Sequence, residues 1–298
     1  MEIDSNGYIK LSADQEENYI QIDNEDFFLS ELSNKGASST LFTLHDPNGE
    51  IEDRVIKICK TPYQYKSRDK RLRRFEREMR AFRIAKKSGC NDVIKFYKAG
   101  KVPLLRQTFL YIILEKAESD LATFMEENEF KFSLNQKLTF CTNILNGINQ
   151  LHEAKIYHRD IKHDNILLVK GQFKIGDLGL VDFQDIDYNL DKVNEKIGPV
   201  GWLSPEATNK MLTKDKKIGN TYDCEINSKS DIFQLGKLFW YIFQGNLPLG
   251  QLTTDDSRFS DNAIYTVLFS MLQHNQNNRP DIKQLTSLLA PIKLRLVV

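Results

Sequence analysis

Nine consecutive residues, Tyr157-His158-Arg159-Asp160-Ile161-Lys162-His163-Asp164-Asn165, are followed after one short stretch by Asp177-Leu178-Gly179. Between them lie an apolar run (Ile166-Leu167-Leu168-Val169), a turn at Lys170-Gly171, and the alternating run Gln172-Phe173-Lys174-Ile175. That pattern is a short hairpin, and it carries Asn165 and Asp177 at its two ends. An amide and a carboxylate so placed are the hard oxygen donors that Mg²⁺ prefers. Asp160 is then positioned to accept a hydroxyl proton, and Lys162, on the same side of an extended loop, to neutralise a γ-phosphate. Phosphoryl transfer asks of a protein mainly this positioning and charge compensation. The plainer reading of the same residues is a solvated polar turn beside a hairpin.

Eight positions matched in order make the string resemble the catalytic and metal-binding loops of the protein kinase family. Leu178 stands where that family more commonly has phenylalanine. The resemblance runs over about residues 27–290 and implies an α+β, two-lobed fold. The small lobe would hold an antiparallel sheet plus one helix, and the larger lobe would be mainly helical. The implied division is an acidic N-terminal extension (1–26), a first lobe (27–116) and a second lobe (117–298). ATP and Mg²⁺, with Mn²⁺ as a substitute, are the implied cofactors, and a protein is the implied substrate.

Alternating apolar residues predict strands over Phe27–Leu32, Ser39–Leu44 and Arg54–Cys59, with Asp46-Pro47-Asn48-Gly49 as a turn. Lys57 shares a face with Val55 and Cys59, opposite Ile56 and Ile58. A lone strand lysine is ordinarily a snorkelling surface residue. Under the resemblance, Lys57 holds the α- and β-phosphates and Val55 packs on adenine. The lysine's carboxylate partner would come from the next helix, where Leu72, Phe75, Met79 and Phe82 form the buried stripe. Glu78 has apolar Phe82 one turn later and Glu76 has Arg80; kinases place an apolar residue there, which selects Glu78.

The segment Leu32 to Leu41 aligns with the family's G-x-G-x-x-G-x-V phosphate loop, with Asn34, Gly36 and Ser39 at the glycine positions and Leu41 at the valine. Asn tolerates positive φ and Ser is small, so Asn34, Gly36, Ser38 and Ser39 still allow backbone approach to a nucleotide. The resemblance also makes Leu114 the back wall of an adenine pocket, with the backbone of Glu115 and Ala117 bonding its edge. Leu167 would cover the lower face, and Asp120 would bond ribose or cap the helix beginning at Leu121.

Leu138, Cys141, Leu145, Ile148 and Leu151 recur at helical spacing, so Leu134–His152 reads as a core helix ahead of the catalytic loop. His158 reads as a buried structural histidine. Further implied features are a docking segment, Gly198 to Glu206, an ion pair between Glu206 and Arg279, and Asp231 as a brace for the catalytic loop. Lys162 is the serine/threonine-kinase form, whereas Pro199-Val200-Gly201-Trp202 is similar to the tyrosine-kinase docking segment. Serine/threonine transfer with Asp160 as base is the leading reading, with dual-specificity or tyrosine kinases, a pseudokinase and a small-molecule kinase as alternatives.

Tyr188 and Ser204 are the only hydroxyl residues between Asp177 and Glu206. Arg159 would therefore find its anionic partner among Asp182, Asp185, Asp187 and Asp191, without an upstream kinase. A lysine-rich insertion spans about Lys210–Asn227.

Formal net charge is zero, which leaves no global field to recruit nucleic acid or a membrane surface. The N-terminus is acidic over residues 1–31 and the stretch Lys66–Arg80 is basic, which suggests contact between the two. Cys59, Cys90, Cys141 and Cys224 match no zinc or redox spacing and read as reduced thiols. The acidic start is no secretory signal, and Leu238–Thr254, interrupted by Gly245, Pro248 and Gly250, is no membrane span. The expected location is cytoplasmic.

Overall fold

The computed structural model describes residues 1–5, 7, 9–14, 17–33, 38–50, 52–185, 195–213, 222–259 and 261–295. It divides into two compact units, Met1–Lys87 with Ile94–Lys116, and Ser88–Val93 with Ala117–Val298.

In the first unit, β1 (Glu2–Ile3) pairs with β2 (Ile9–Lys10). A six-stranded antiparallel sheet follows, built from β3 (Tyr19–Ile22), β4 (Glu25–Ser33), β5 (Ser39–His45), β6 (Arg54–Cys59), β7 (Phe96–Leu104) and β8 (Gln107–Glu115). Its order is β3-β4-β5-β6-β8-β7. Asp23 and Asn24, both at positive φ, make the two-residue turn between β3 and β4. Leu105 and Arg106 make the corresponding turn between β7 and β8. Such turns match the right-handed twist of the strands that they join.

One face of the sheet buries Ile20, Ile22, Phe27, Leu29, Phe42, Leu44, Ile56 and Ile58 together with Ile9. The helix α1 (Lys70–Lys87) packs on β6, β7 and β8, and Leu72, Phe75, Met79 and Phe82 are all buried. The first 26 residues are therefore not set apart as an extension. Their apolar side chains complete the core, and β3 reaches β7, where Asp23 pairs with Lys98. It is to the sheet that this acidic segment is joined.

The second unit opens with β9 (Ser119–Asp120), α2 (Leu121–Glu127) and α3 (Leu134–Glu153). A capping box between Ser133 and Gln136 starts α3, which buries Leu138, Cys141, Leu145, Ile148 and Leu151. Next come β10 (Ile156–Tyr157), β11 (Ile166–Val169), β12 (Gln172–Ile175) and β13 (Asp182–Phe183). The helices α4 (Pro205–Leu212), α5 (Ser228–Gln244), α6 (Asn262–Met271) and α7 (Ile282–Arg295) complete it. The hairpin β11–β12 is joined on its β11 side by β9, and β10 pairs with β13. Residues 88–93 belong here because Ile175 donates its N–H to Asp92 O at 2.8 Å and Asp92 donates to Gln150 Oε1 at 2.9 Å.

Replacing Ile22 by Ala is expected to cost about 2–5 kcal/mol, the loss of a buried aliphatic side chain. Urea unfolding measures this, and an N-terminal segment lying outside the core would leave the transition unmoved.

Candidate active site

Lys57 lies at the centre of β6, opposite Leu41 of β5 and Ile112 of β8. It is buried, and its Nζ donates to Glu78 Oε1 of α1 at 2.6 Å. Glu78 is thus the carboxylate that holds the lysine. Val55 pairs across the ladders with Thr43 and Leu114, and both Val55 and Leu114 are buried. Ser39 begins β5 opposite Cys59, and the Ser38 carbonyl accepts from Lys60 N at 3.0 Å. Asn34 and Gly36 lie outside the described residues. The Glu115 N–H is committed to Lys95 O at 2.9 Å, so that residue's backbone cannot also donate to a base edge. Ala117 is the first residue of the second unit.

In the second unit the loop from His158 to Asn165 is held from below. Asp231, fully buried near the start of α5, accepts from His158 N at 2.8 Å, Arg159 N at 2.7 Å and His152 Nε2 at 2.8 Å. Burial opposes its charge, but the His152 bond and charge and the backbone donors outweigh it and hold the carboxyl below its ordinary value. Gln234, one turn on, accepts from Ile161 N at 2.9 Å and donates to Arg159 O at 3.2 Å. His158 is buried, its Nδ1 accepting from Asp160 N and its Nε2 bonding Gly176 O at 3.0 Å. An amide can only donate and a carbonyl only accept, so Nδ1 serves as the acceptor and Nε2 as the donor in this arrangement.

Above this frame Asp160 is buried, and Asn165 Nδ2 donates to its Oδ2 at 2.9 Å and to its carbonyl at 2.8 Å. Burial first, then the charge of Asp177, push the Asp160 carboxyl up to about 6, against the opposing pull of Lys162 and Asn165. Asp177 follows β12 at φ 43°, a left-handed conformation that aspartate tolerates better than most residues. A Cβ on the residue before it, Gly176, would stand 2.7 Å from Leu167 Cδ1, so a larger residue there would have to displace that side chain. Lys162 Nζ lies 3.3 Å from Asp164 Oδ2, and the Asp164 carboxyl, bonded by His163, is lowered to about 2. Leu167 pairs with Asp120 across β11 and β9, while the Asp120 side chain caps α2 by accepting from Thr123 N at 2.8 Å.

Arg159, also left-handed at φ 65°, donates to Leu180 O at 3.0 Å and to Asp182 Oδ2 at 2.7 Å. Asp182 is therefore one anionic partner of Arg159 among the described residues, while Asp187, Tyr188 and Asp191 lie outside them. Farther along the chain, Glu206 and Arg279 form a buried two-pronged pair at 2.8 and 2.9 Å, with Ser230 Oγ donating to the same carboxylate at 2.6 Å. Burial opposes the Glu206 charge and Arg279 overcomes it, so its carboxyl is lowered.

Gln234 and Lys237 escaped the sequence reading, although each is a polar residue inside the apolar run of α5. Their spacing from Asp231 places all three on one helix face.

Residues 35–290 match the protein kinase domain family. "Serine/threonine-protein kinase mph1" of Schizosaccharomyces pombe is 25% identical over 80% of this chain and 34% of its own length. "Dual specificity protein kinase Ttk" of Danio rerio is 21% identical over 80% of this chain and 23% of its own length. "Serine/threonine-protein kinase CLA4" of Candida albicans is 31% identical over 49% of this chain and 14% of its own length. The chain thus spans about a third or less of the length of these relatives.

Removing one side of the buried pair, as in Glu206→Ala, is expected to cost about 3–5 kcal/mol because Arg279 is left as an uncompensated buried charge. Urea unfolding should show this loss, and the double change Glu206→Leu with Arg279→Met should recover most of it.

Proposed function

The chain belongs to the protein kinase domain family, and from that membership we propose that it transfers the γ-phosphate of ATP to serine and threonine hydroxyls of proteins. The observation that carries this reading is the Asp160 site: a buried carboxylate oriented by Asn165, with Lys162 near and the charge of Asp177 felt by it. A carboxylate whose pKa is raised to about 6 is a stronger base than an ordinary aspartate and is still ionised at neutral pH. Asp160 accepts the proton of the acceptor hydroxyl, and Lys162 offsets charge on the transferred group. Lys57, kept in place by Glu78, binds the α- and β-phosphates.

The donor set fits a divalent cation. After burial, the Asp177 charge is the next cause that raises the Asp160 carboxyl, and a cation held near the two would relieve that repulsion. Among the described residues no group of three or more His, Cys, Asp or Glu side chains forms a self-sufficient metal cage. Asn165 and Asp177 would hold Mg²⁺, or Mn²⁺, with phosphate oxygens completing the shell. The ion supplies charge neutralisation and in-line orientation when bound.

Val55, Leu114 and Leu167 supply apolar surface for adenine; the Glu115 carbonyl and the Ala117 backbone bond its edge, and Asp120 the ribose. The phosphate loop comprises Asn34, Gly36, Ser38, Ser39 and Leu41. Among the described residues no helix is long and apolar enough to cross a membrane. The free cysteines are consistent with work in the cytoplasm. A dual-specificity reading is favoured by the Pro199-Val200-Gly201-Trp202 segment, and one relative carries that description.

Labelled ATP, Mg²⁺ and mixed protein substrates should yield phosphoserine and phosphothreonine, and phosphotyrosine alone would overturn the serine/threonine assignment. Asp160→Asn should lower kcat by about 10²-fold or more, the usual worth of a general base. In the parent protein, kcat/KM should rise with pH through about 6 as the Asp160 carboxyl ionises, and level off above it. A profile flat from pH 5 to 8 removes Asp160 from that role.

A further inference from the structure

Lys237 sits in the middle of α5 and is only 6% exposed. Its ammonium donates to two backbone carbonyls, Gly201 O at 2.6 Å and Pro248 O at 3.0 Å. Buried lysines are costly unless paired, and burial lowers this one's pKa below the ordinary lysine value. Among the described residues its hydrogen bonds go to main-chain oxygens alone. A cation placed at such cost fixes the position of whatever it holds.

What it holds is the segment proposed to dock the substrate. Gly201 is left-handed at φ 92° and closes a turn in which Trp202 N donates to Pro199 O at 3.1 Å. Val200, between them, is 74% exposed. The next residue, Trp202, lies edge-on to His163 of the catalytic loop at 5.1 Å, and His163 lies 4.9 Å from Tyr241, one turn beyond Lys237 on α5. Successive turns of one helix thus bear Asp231 and Gln234, which hold Arg159 and Ile161 around Asp160, and then Lys237 and Tyr241, which face Gly201 and His163.

We infer that Lys237 is a positioning residue for the protein substrate: its ammonium sets the Pro199–Trp202 turn at a fixed place relative to Asp160, and so determines how an acceptor segment is presented. The inference rests on the kinase reading and goes beyond it by assigning the presentation of substrate to a buried cation outside the catalytic loop. The charge is specific to this role, since an apolar residue of equal length would fill the same space in α5 and leave both carbonyls without a donor.

The test is Lys237→Met, with steady-state kinetics against a peptide substrate and against ATP, and hydrogen exchange across residues 195–203. The expected result is a rise in peptide KM of about tenfold, the worth of a hydrogen bond to a charged group, with the KM for ATP within about twofold of the parent by the same measure. Exchange at the Trp202 amide should quicken by a similar factor. In a second variant, Lys237→Ala, added n-propylammonium should restore the peptide KM, whereas Lys237→Met, which fills the same space without the charge, should leave it raised. Unchanged exchange in both variants overturns the inference, as does faster exchange with an unchanged peptide KM, or loss of peptide and ATP affinity together. If the parent protein transfers no phosphate, the kinase reading fails, while the exchange arm still decides whether Lys237 fixes the turn.

Discussion

A single buried carboxylate organises the second unit. Asp231 has no exposed surface, and its oxygens accept the N–H groups of His158 and Arg159 and the ring of His152. Those amides belong to a loop whose Arg159 is left-handed, a conformation that non-glycine residues hold only when the surroundings over-determine it. Remove the acceptor and two buried donors lose their partner in a place that water cannot reach, so the strained loop would relax. Asp160, Ile161 and Asn165 inherit their positions from that clamp. The charge is kept ionised by the donors that it aligns, which makes the anchor and the loop mutually dependent.

A second dependence runs through His158. Its two ring bonds join the loop amide of Asp160 to the carbonyl of Gly176, next to Asp177. The two carboxylates, Asp160 proposed as the base and Asp177 proposed as a metal ligand, are thereby tied to a single ring. Burial first, and then the nearness of Asp177, raise the Asp160 pKa, so the repulsion that disfavours both charges adds to what makes Asp160 basic.

Much of this was legible in the sequence where one periodicity dominated. The stripe Leu72, Phe75, Met79, Phe82 and the helix Leu134–Glu153 follow the 3.6-residue repeat, and the hairpin from Ile166 to Ile175 shows a glycine turn between two short runs. The choice of Glu78 over Glu76 came from the same stripe. Where signals competed, the reading went astray. Tyr19-Ile20-Gln21-Ile22 alternates like a strand, and Asp23-Asn24 is good turn chemistry, but the density of acids drew attention to charge rather than to pattern. The strand Phe96–Leu104 is disguised by Gly100 and Pro103, and its turn at Leu105-Arg106 lacks the usual glycine or asparagine. That Asp182 binds Arg159, or that Lys237 reaches the carbonyls of Gly201 and Pro248, depends on chain segments far apart in sequence, which no local pattern encodes.

The curl that brings β3 against β7 has a consequence for the solubility of the chain. These are the two outermost strands of the six, and an open sheet would present both as ready templates for strand addition by another molecule. Here each lies against the other, the Asp23–Lys98 pair sits where they meet, and Pro103 withholds an N–H from the β7 border. The acidic N-terminal segment thus acts as a guard against cross-strand aggregation: a chain cut after residue 24 would lose β3 and expose a new border at β4, with Phe28 and Leu32 already half out of the core.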